Sequence, residues 1–243
     1  MTAKELYQAG KLNEAVQALV ADLRNNPTDR QRRTFLFELL CFAGEFDRAE
    51  KHLGVIADWG NDAQMGALLY RAALHAERTR RDLFQKKEYP AGGPALHTLP
   101  GTINGKKFET LVDADPRIGP RLEVFAAGQY TWLPFEHIAS VEMQAPKRLR
   151  DLLWAPAIVR TGPSFKDTDL GEVLLPVLTP LAYLSADEQV RLGRKTEWEE
   201  QEDGAAVPVG QKMLLVDGEE FPFLELRRLE FMAAKAPEHH ASA

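Results

Sequence analysis

Two short stretches constrain the first half of this chain more than any other feature. Gly10-Lys-Leu12-Asn-Glu-Ala15 and Gly44-Glu-Phe46-Asp-Arg-Ala49 share the pattern Gly-x-apolar-x-x-Ala and stand 34 residues apart. Leu6 with Leu40, and Leu19 with Leu53, keep the same offset. A glycine relieves the tight turn between two antiparallel helices, and a small alanine after it lets the second helix approach the first. Pro27, preceded by Asn25-Asn26, stands where such a unit ends and suits a helix stop.

That spacing is the tetratricopeptide period, in which each repeat is one helical hairpin. The first unit is clipped at its start, and Met65 to Phe84 supplies one more helix without the turn signature. The reading is therefore two repeats and a capping helix. Two copies are fewer than a solenoid needs to stand alone, so this portion has to lean on the rest of the chain.

Proline divides the sequence. Pro27 is the only proline before residue 89, and the other fourteen follow it. Residues 1–88 carry 14 basic and 13 acidic side chains, a net of +1, and residues 89–243 carry 16 and 23, a net of −7, which together give the total of −6. The expected organisation is a tetratricopeptide-like helical domain over 1–88, a Pro/Gly-rich linker over 89–101, an α+β domain over 102–235 and a flexible tail over 236–243. In the second half, Tyr130–Leu133, Ile138–Met143, Ala157–Thr161, Gln211–Asp217 and Leu224–Phe231 read as strands. Asp217-Gly218 and Asn104-Gly105 read as hairpin turns. Helices are expected over Pro120–Ala127 and Lys147–Leu153, each begun at or just after a proline. The fold class is thus α and α+β, with helical repeats packed on a domain of antiparallel sheet.

The totals exclude several function classes. A net charge of −6 over 243 residues offers no field for coating nucleic acid. Cys41 is the sole cysteine, so neither an intrachain disulfide nor a Cys-based metal site can form. The first twenty residues lack the apolar run of a secretory signal, and the most apolar stretch, Val173–Leu184, is too short to span a bilayer. These features suit the cytoplasm.

Motifs for chemistry are weak. Gly101-Thr-Ile-Asn-Gly105-Lys-Lys107 is one residue short of a phosphate loop and lacks its Ser or Thr. No Glu-linked histidine pair stands at metal-ligand spacing, so no metal or cofactor is expected. Asp113-Ala-Asp115, followed by Glu123, is the most suggestive acidic cluster, because paired carboxylates can hold magnesium or run acid–base chemistry. Arg117 can neutralise either aspartate, and Asp115 can cap a following helix, so a structural role is favoured. Cys41 shares a helical face with Phe37 and Leu40 and reads as a buried thiol. Arg78, Arg80, Arg81, Lys86 and Lys87 form a basic helix end, read as a solvated face or, more sharply, as a contact with a neighbouring domain. The run Glu197, Glu199, Glu200, Glu202 and Asp203 reads as an exposed loop.

Four motifs occur in order: Asp113-Ala-Asp-Pro-Arg-Ile-Gly-Pro-Arg-Leu-Glu-Val124, Tyr130-Thr-Trp-Leu-Pro-Phe135, Arg150-Asp-Leu-Leu-Trp-Ala-Pro-Ala157 and Arg191-Leu-Gly-Arg-Lys-Thr-Glu-Trp198. Together, after the repeats, they resemble the ImpE family, also called TagJ or SciE, of bacterial type VI secretion. The resemblance implies a helical repeat segment before an α+β domain over nearly the whole chain. It also implies a non-enzymatic role in the cytoplasm, binding an N-terminal helix of the sheath subunit TssB and assisting the sheath cycle alongside the ATPase ClpV. Pro116 departs from the family's usual acidic residue, and the loop around Glu199–Gly204 is individual. The family's recurring Trp132, Trp154, Arg150, Asp151, Arg194 and Trp198 read as architectural.

Helix-in-groove binding draws on apolar anchors at i, i+3, i+4 and i+7. Repeat geometry puts Thr34, Glu38, Cys41, Leu68 and His75 on the inner face, which makes them the candidate partner-binding residues. Two other readings are a metal-dependent hydrolase using Asp113, Asp115 and Glu123, and a generic tetratricopeptide co-chaperone, which needs an inward cluster of Lys, Arg and Asn. A homodimer is the base-rate oligomer.

Overall fold

The computed structural model describes residues 1–89, 98–162, 169–201 and 204–232. The expected tail and most of the expected linker lie outside the described residues.

Five helices come first: α1 (Ala3–Gln8), α2 (Leu12–Asn25), α3 (Arg30–Phe42), α4 (Phe46–Ala57) and α5 (Asn61–Lys86). Thr2 starts α1 through a capping box with Glu5, and the Asp29 carboxylate accepts from the Arg32 backbone N–H to start α3. Gly10 and Gly44 make equivalent turns with φ of +79° and +71°, a region closed to most side chains. Leu12, Ala15 and Leu19 of α2 match Phe46, Ala49 and Leu53 of α4, all buried, so the two hairpins repeat in space as they do in sequence.

The second half is antiparallel sheet throughout its described pairings. The early strands are β1 (Gly101–Ile103), β2 (Lys106–Phe108), β3 (Leu111–Asp113), β4 (Arg121–Ala126) and β5 (Gln129–Pro134). After them come β6 (Ile138–Met143), β7 (Trp154–Thr161), β8 (Asp169–Pro176) and a short helix α6 (Glu188–Arg191). The last are β9 (Thr196–Glu200), β10 (Ala206–Gly210), β11 (Met213–Val216), β12 (Glu219–Pro222) and β13 (Arg228–Phe231). The main sheet has eight strands in the order β2-β1-β13-β6-β7-β8-β4-β5, with β12-β11-β3 and β10-β9 as smaller sheets. Both expected Gly hairpins form: Asn104-Gly105 joins β1 to β2, Asp217-Gly218 joins β11 to β12, and all four residues have positive φ, as the tight turn demands.

Four local expectations are corrected. Pro120–Ala127 is not a helix but contains β4, paired with β5 and β8; its first five residues are all buried because Leu122 and Val124 face the sheet core while Glu123 and Phe125 face the helices. Tertiary pairing overrides the helix-start signal of Pro120. Lys147–Leu153 contributes only a 3-10 turn, Leu149–Leu152, before the chain enters β7. Leu224–Phe231 divides into a 3-10 turn at Phe223–Glu225 and a strand from Arg228, which explains its imperfect alternation. Glu197, Glu199 and Glu200 stand on β9, paired with β10, rather than in a loop; Glu202 and Asp203 lie outside the described residues.

Two apolar cores form. One fills the sheet part, around Val124, Val141, Val159 and Leu175. The other runs through the helices and takes in Phe125, Leu153, Trp154 and Leu192 from the second half. The helical stub does lean on the sheet, and the seam between them is part of its core. No helix among the described residues is long and apolar enough to cross a membrane.

Candidate functional site

The seam is held by buried charge. Arg80 of α5 is 2% exposed; its Nε and Nη2 donate to Glu123 Oε1 and Oε2 of β4 at 2.7 and 2.8 Å. Nη2 also reaches the Leu178 carbonyl at 2.9 Å, and Nη1 reaches Glu77 Oε1 at 3.1 Å. Lys212 Nζ lies 2.6 Å from Glu123 Oε2 and 2.7 Å from Asp113 Oδ2. Tyr130 donates its hydroxyl hydrogen to Glu123 Oε1 at 2.6 Å and accepts from the Trp132 indole N–H. Burial alone would raise the Glu123 pKa, but Arg80 and Lys212 outweigh it and bring the carboxyl down to about 2. At Asp113 burial wins against Lys212 and raises the carboxyl to about 6.

The suggestive acidic cluster is therefore divided among cations. Asp115 takes Arg117 Nε and Nη2 at 2.8 and 2.6 Å and the Arg117 backbone N–H at 3.0 Å. It closes a turn rather than capping a helix. With Asp113 and Glu123 on Lys212 and Arg80, the carboxylate oxygens of a hydrolytic site are already occupied. Among the described residues, no three His, Cys, Asp or Glu side chains are grouped to hold a metal ion.

The inner face of the helical hairpins is filled by the chain itself. Tyr70 of α5 stacks on Trp154 at 6.2 Å between ring centroids, and the Arg150 guanidinium sits 4.6 Å from the Tyr70 ring centre. Trp154 donates its indole N–H to Glu77 Oε2 at 3.1 Å. The Asp151 carboxylate accepts from the backbone N–H groups of Lys147 and Arg148 at 2.8 and 2.9 Å, shaping the turn that carries these residues. Arg194 lies over Tyr7 and donates to the Tyr7 and Gln8 carbonyls at 2.7 and 3.0 Å, fastening the end of α1. Of the six recurring positions, Trp198 differs: it is 42% exposed on β9.

The five candidate partner residues do not share one surface. Cys41 is buried beside Leu153 and Trp154, its thiol pushed up by burial, so it packs on its own chain. Thr34 and Glu38 are half-buried on α3. Leu68 and His75 are exposed on α5, one heptad apart.

Leu68 belongs to a larger feature that the repeat pattern did not disclose. Met65, Leu68 and Leu69 are 67%, 60% and 51% exposed, and with Ala72 they complete the i, i+3, i+4, i+7 positions of one face. Leu69 and Ala72 continue into a cleft of about 170 Å³ shared with Phe125, Gly128, Val173 and Leu174. Gly128, at φ +80°, brings the β4–β5 turn so close that an added Cβ would stand 3.3 Å from the Ala72 methyl. An outward apolar period on α5 is the signal that could have revealed the stripe. Arg80 and Lys212 left no sequence signal of their partners.

Helical hairpins are clamped on an antiparallel sheet, buried charges hold the two parts together, and an apolar face of α5 is left open. Residues 105–230 match the family described as ImpE protein. The chain is 32% identical to the type VI secretion system accessory component TagJ of Pseudomonas aeruginosa, in an alignment covering 95% of this chain and 91% of that protein. The chain belongs to the ImpE family and is a homologue of a type VI secretion accessory component. Its fold is that of the crystal structure of protein VPA1032 from Vibrio parahaemolyticus, with a TM-score of 0.82, 21% identity and coverage of 96% and 98% of the two chains.

Proposed function

We propose that this protein is a non-enzymatic adaptor of type VI secretion in the cytoplasm. It holds the N-terminal helix of the sheath subunit TssB and thereby assists the sheath assembly and disassembly cycle with ClpV. Family membership supports the accessory role. The observation that carries the binding mode is the stripe Met65, Leu68, Leu69 and Ala72 beside its cleft. An amphipathic helix laid along α5 would bury these side chains, Met65, Leu68 and Leu69 each worth about 1.5–3 kcal/mol when fully removed from water. Leu68 and His75 are the candidate residues accessible for this contact.

Neither alternative has comparable support. A co-chaperone would read its peptide on the inner face, which Arg150, Leu153 and Trp154 occupy. A hydrolase would need Asp113, Asp115 and Glu123 free of the cations that hold them.

The test is calorimetric titration of the whole protein with a peptide of the cognate TssB N-terminal segment. Binding in the micromolar range is expected, weakened about tenfold or more by Leu68→Asp with Met65→Asp. Absence of binding at micromolar concentrations overturns the proposal.

A further inference from the structure

A separate groove of about 490 Å³ lies between α1, α3 and the Pro146–Leu152 segment. Tyr7, Phe35, Leu149 and Leu152 make its floor, all half-buried and packed against the helical core. Lys4 stands on the α1 side of the rim, and Lys147 and Arg148 on the other, all three exposed. Among the described residues no salt bridge engages any of them, whereas Lys11, Arg32, Arg48, Arg78 and Lys195 each have a carboxylate partner. Glu38 is the one carboxyl lining the groove. Arg148 acts electrostatically on Glu38, so the rim sets three cations against one carboxyl around an apolar floor, a locally basic frame in a chain of net charge −6.

Apolar floor and basic rim together specify an occupant. We propose that this groove docks an apolar segment of another protein whose flanks carry aspartate or glutamate. Its apolar side chains cover Tyr7, Phe35 and Leu152, and its carboxylates meet Lys4 on one side and Lys147-Arg148 on the other. Complementary rim charges govern encounter and selectivity, and the floor supplies the buried area. The groove shares no lining residue with the α5 stripe, so it is a second interaction surface that stands or falls independently of the first.

The test is selection of a displayed library of random helical peptides against the intact protein. Enriched sequences are expected to bear Asp or Glu flanking an apolar centre. A labelled consensus peptide should bind about tenfold more weakly when salt is raised from about 50 to about 500 mM. Lys4→Glu with Lys147→Glu and Arg148→Glu, shown folded by circular dichroism, should reverse the charge preference of the selected peptides. Met65→Asp with Leu68→Asp should leave consensus binding unchanged. An unenriched library, enrichment without charge bias, a bias that survives the triple reversal, or binding of phosphatidylglycerol vesicles in place of peptide would each overturn the proposal.

Discussion

Arg80 of α5 and Glu123 of β4 meet fork to fork at the seam, with Nε and Nη2 donating to the two carboxylate oxygens at 2.7 and 2.8 Å in a site closed to water. The pair joins positions 43 residues apart in the chain, and Lys212 adds a third anchor at 2.6 Å from the same carboxylate. The seam is thus specified by geometry as well as by apolar area.

Arg80→Ala is expected to destabilise the protein by about 3–5 kcal/mol, because it leaves Glu123 buried with Lys212 as its one remaining cation. Pairing Arg80→Met with Glu123→Gln should lose less than the sum of the single changes. Urea denaturation of the four proteins checks this; additive losses would mean that the two side chains are not coupled.

Glu38 gives a pH signature. Burial, with repulsion from Asp151, pushes its carboxyl from 4.5 up to about 7. The folded state therefore holds the proton more tightly than the unfolded chain. That contribution is complete below pH 4.5 and disappears as pH rises through 7. Glu38→Gln should stabilise the protein at pH 8 by about 1–3 kcal/mol and leave it unchanged near pH 4. Glu123, drawn down to about 2, works in the opposite sense: its stabilisation is present above pH 4.5 and lost as pH falls toward 2. Melting temperatures of wild type and Glu38→Gln across this range supply the comparison, and parallel curves would refute it.

The two repeat glycines should respond differently to alanine. Both require positive φ, which costs about 1–2 kcal/mol for a residue with a Cβ. At Gly10 the added Cβ meets the side-chain amide of Gln189, the movable end of an extended chain. At Gly44 it runs into the Tyr183 ring, which packs edge-on against Phe46 at 6.0 Å. Gly44→Ala is expected to lose about 1–2 kcal/mol more than Gly10→Ala in chemical denaturation.

The helices depend on the sheet. Phe125, Leu153, Trp154 and Leu192 belong to the helical core, so residues 1–89 alone should show helix signal but no sharp thermal transition. In the full chain, Trp154→Ala should lose about 3–5 kcal/mol, with helix and sheet probes reporting one shared transition. A separate, unshifted helical transition would count against the joint core.

Much of the local structure is legible in the residues alone. The recurrence of Gly10 at Gly44 and of Ala15 at Ala49 specifies helical hairpins, and Asn104-Gly105 and Asp217-Gly218 specify hairpin turns, because each depends on backbone conformations few residues tolerate. Ile138–Met143 matches β6, where Val141 and Met143 are buried on either side of Glu142 and an irregularity near Ile138 breaks strict alternation. β4 was illegible: with both faces covered, Arg121-Leu-Glu-Val-Phe125 shows no alternation, and Pro120 imitates a helix start. The burial of Cys41 has a related cause, since repeat geometry cannot say that Leu153 and Trp154 cover that side of α3 from the same chain.

The helical hairpins, the Gly turns and, through four ordered motifs, the ImpE kinship are written locally in the chain, because turn chemistry, helix period and motif order need no distant partner. What became of the charges depends on long-range packing. Packing turned Arg80, one cation in a basic helix end, into the buried partner of a strand carboxylate, and it set Lys4, Lys147 and Arg148 around an apolar floor with Glu38 as the one carboxyl there. The physical reason is that an ionisable side chain acquires its role from burial and from the nearest opposite charge, and both are set by residues distant in the chain.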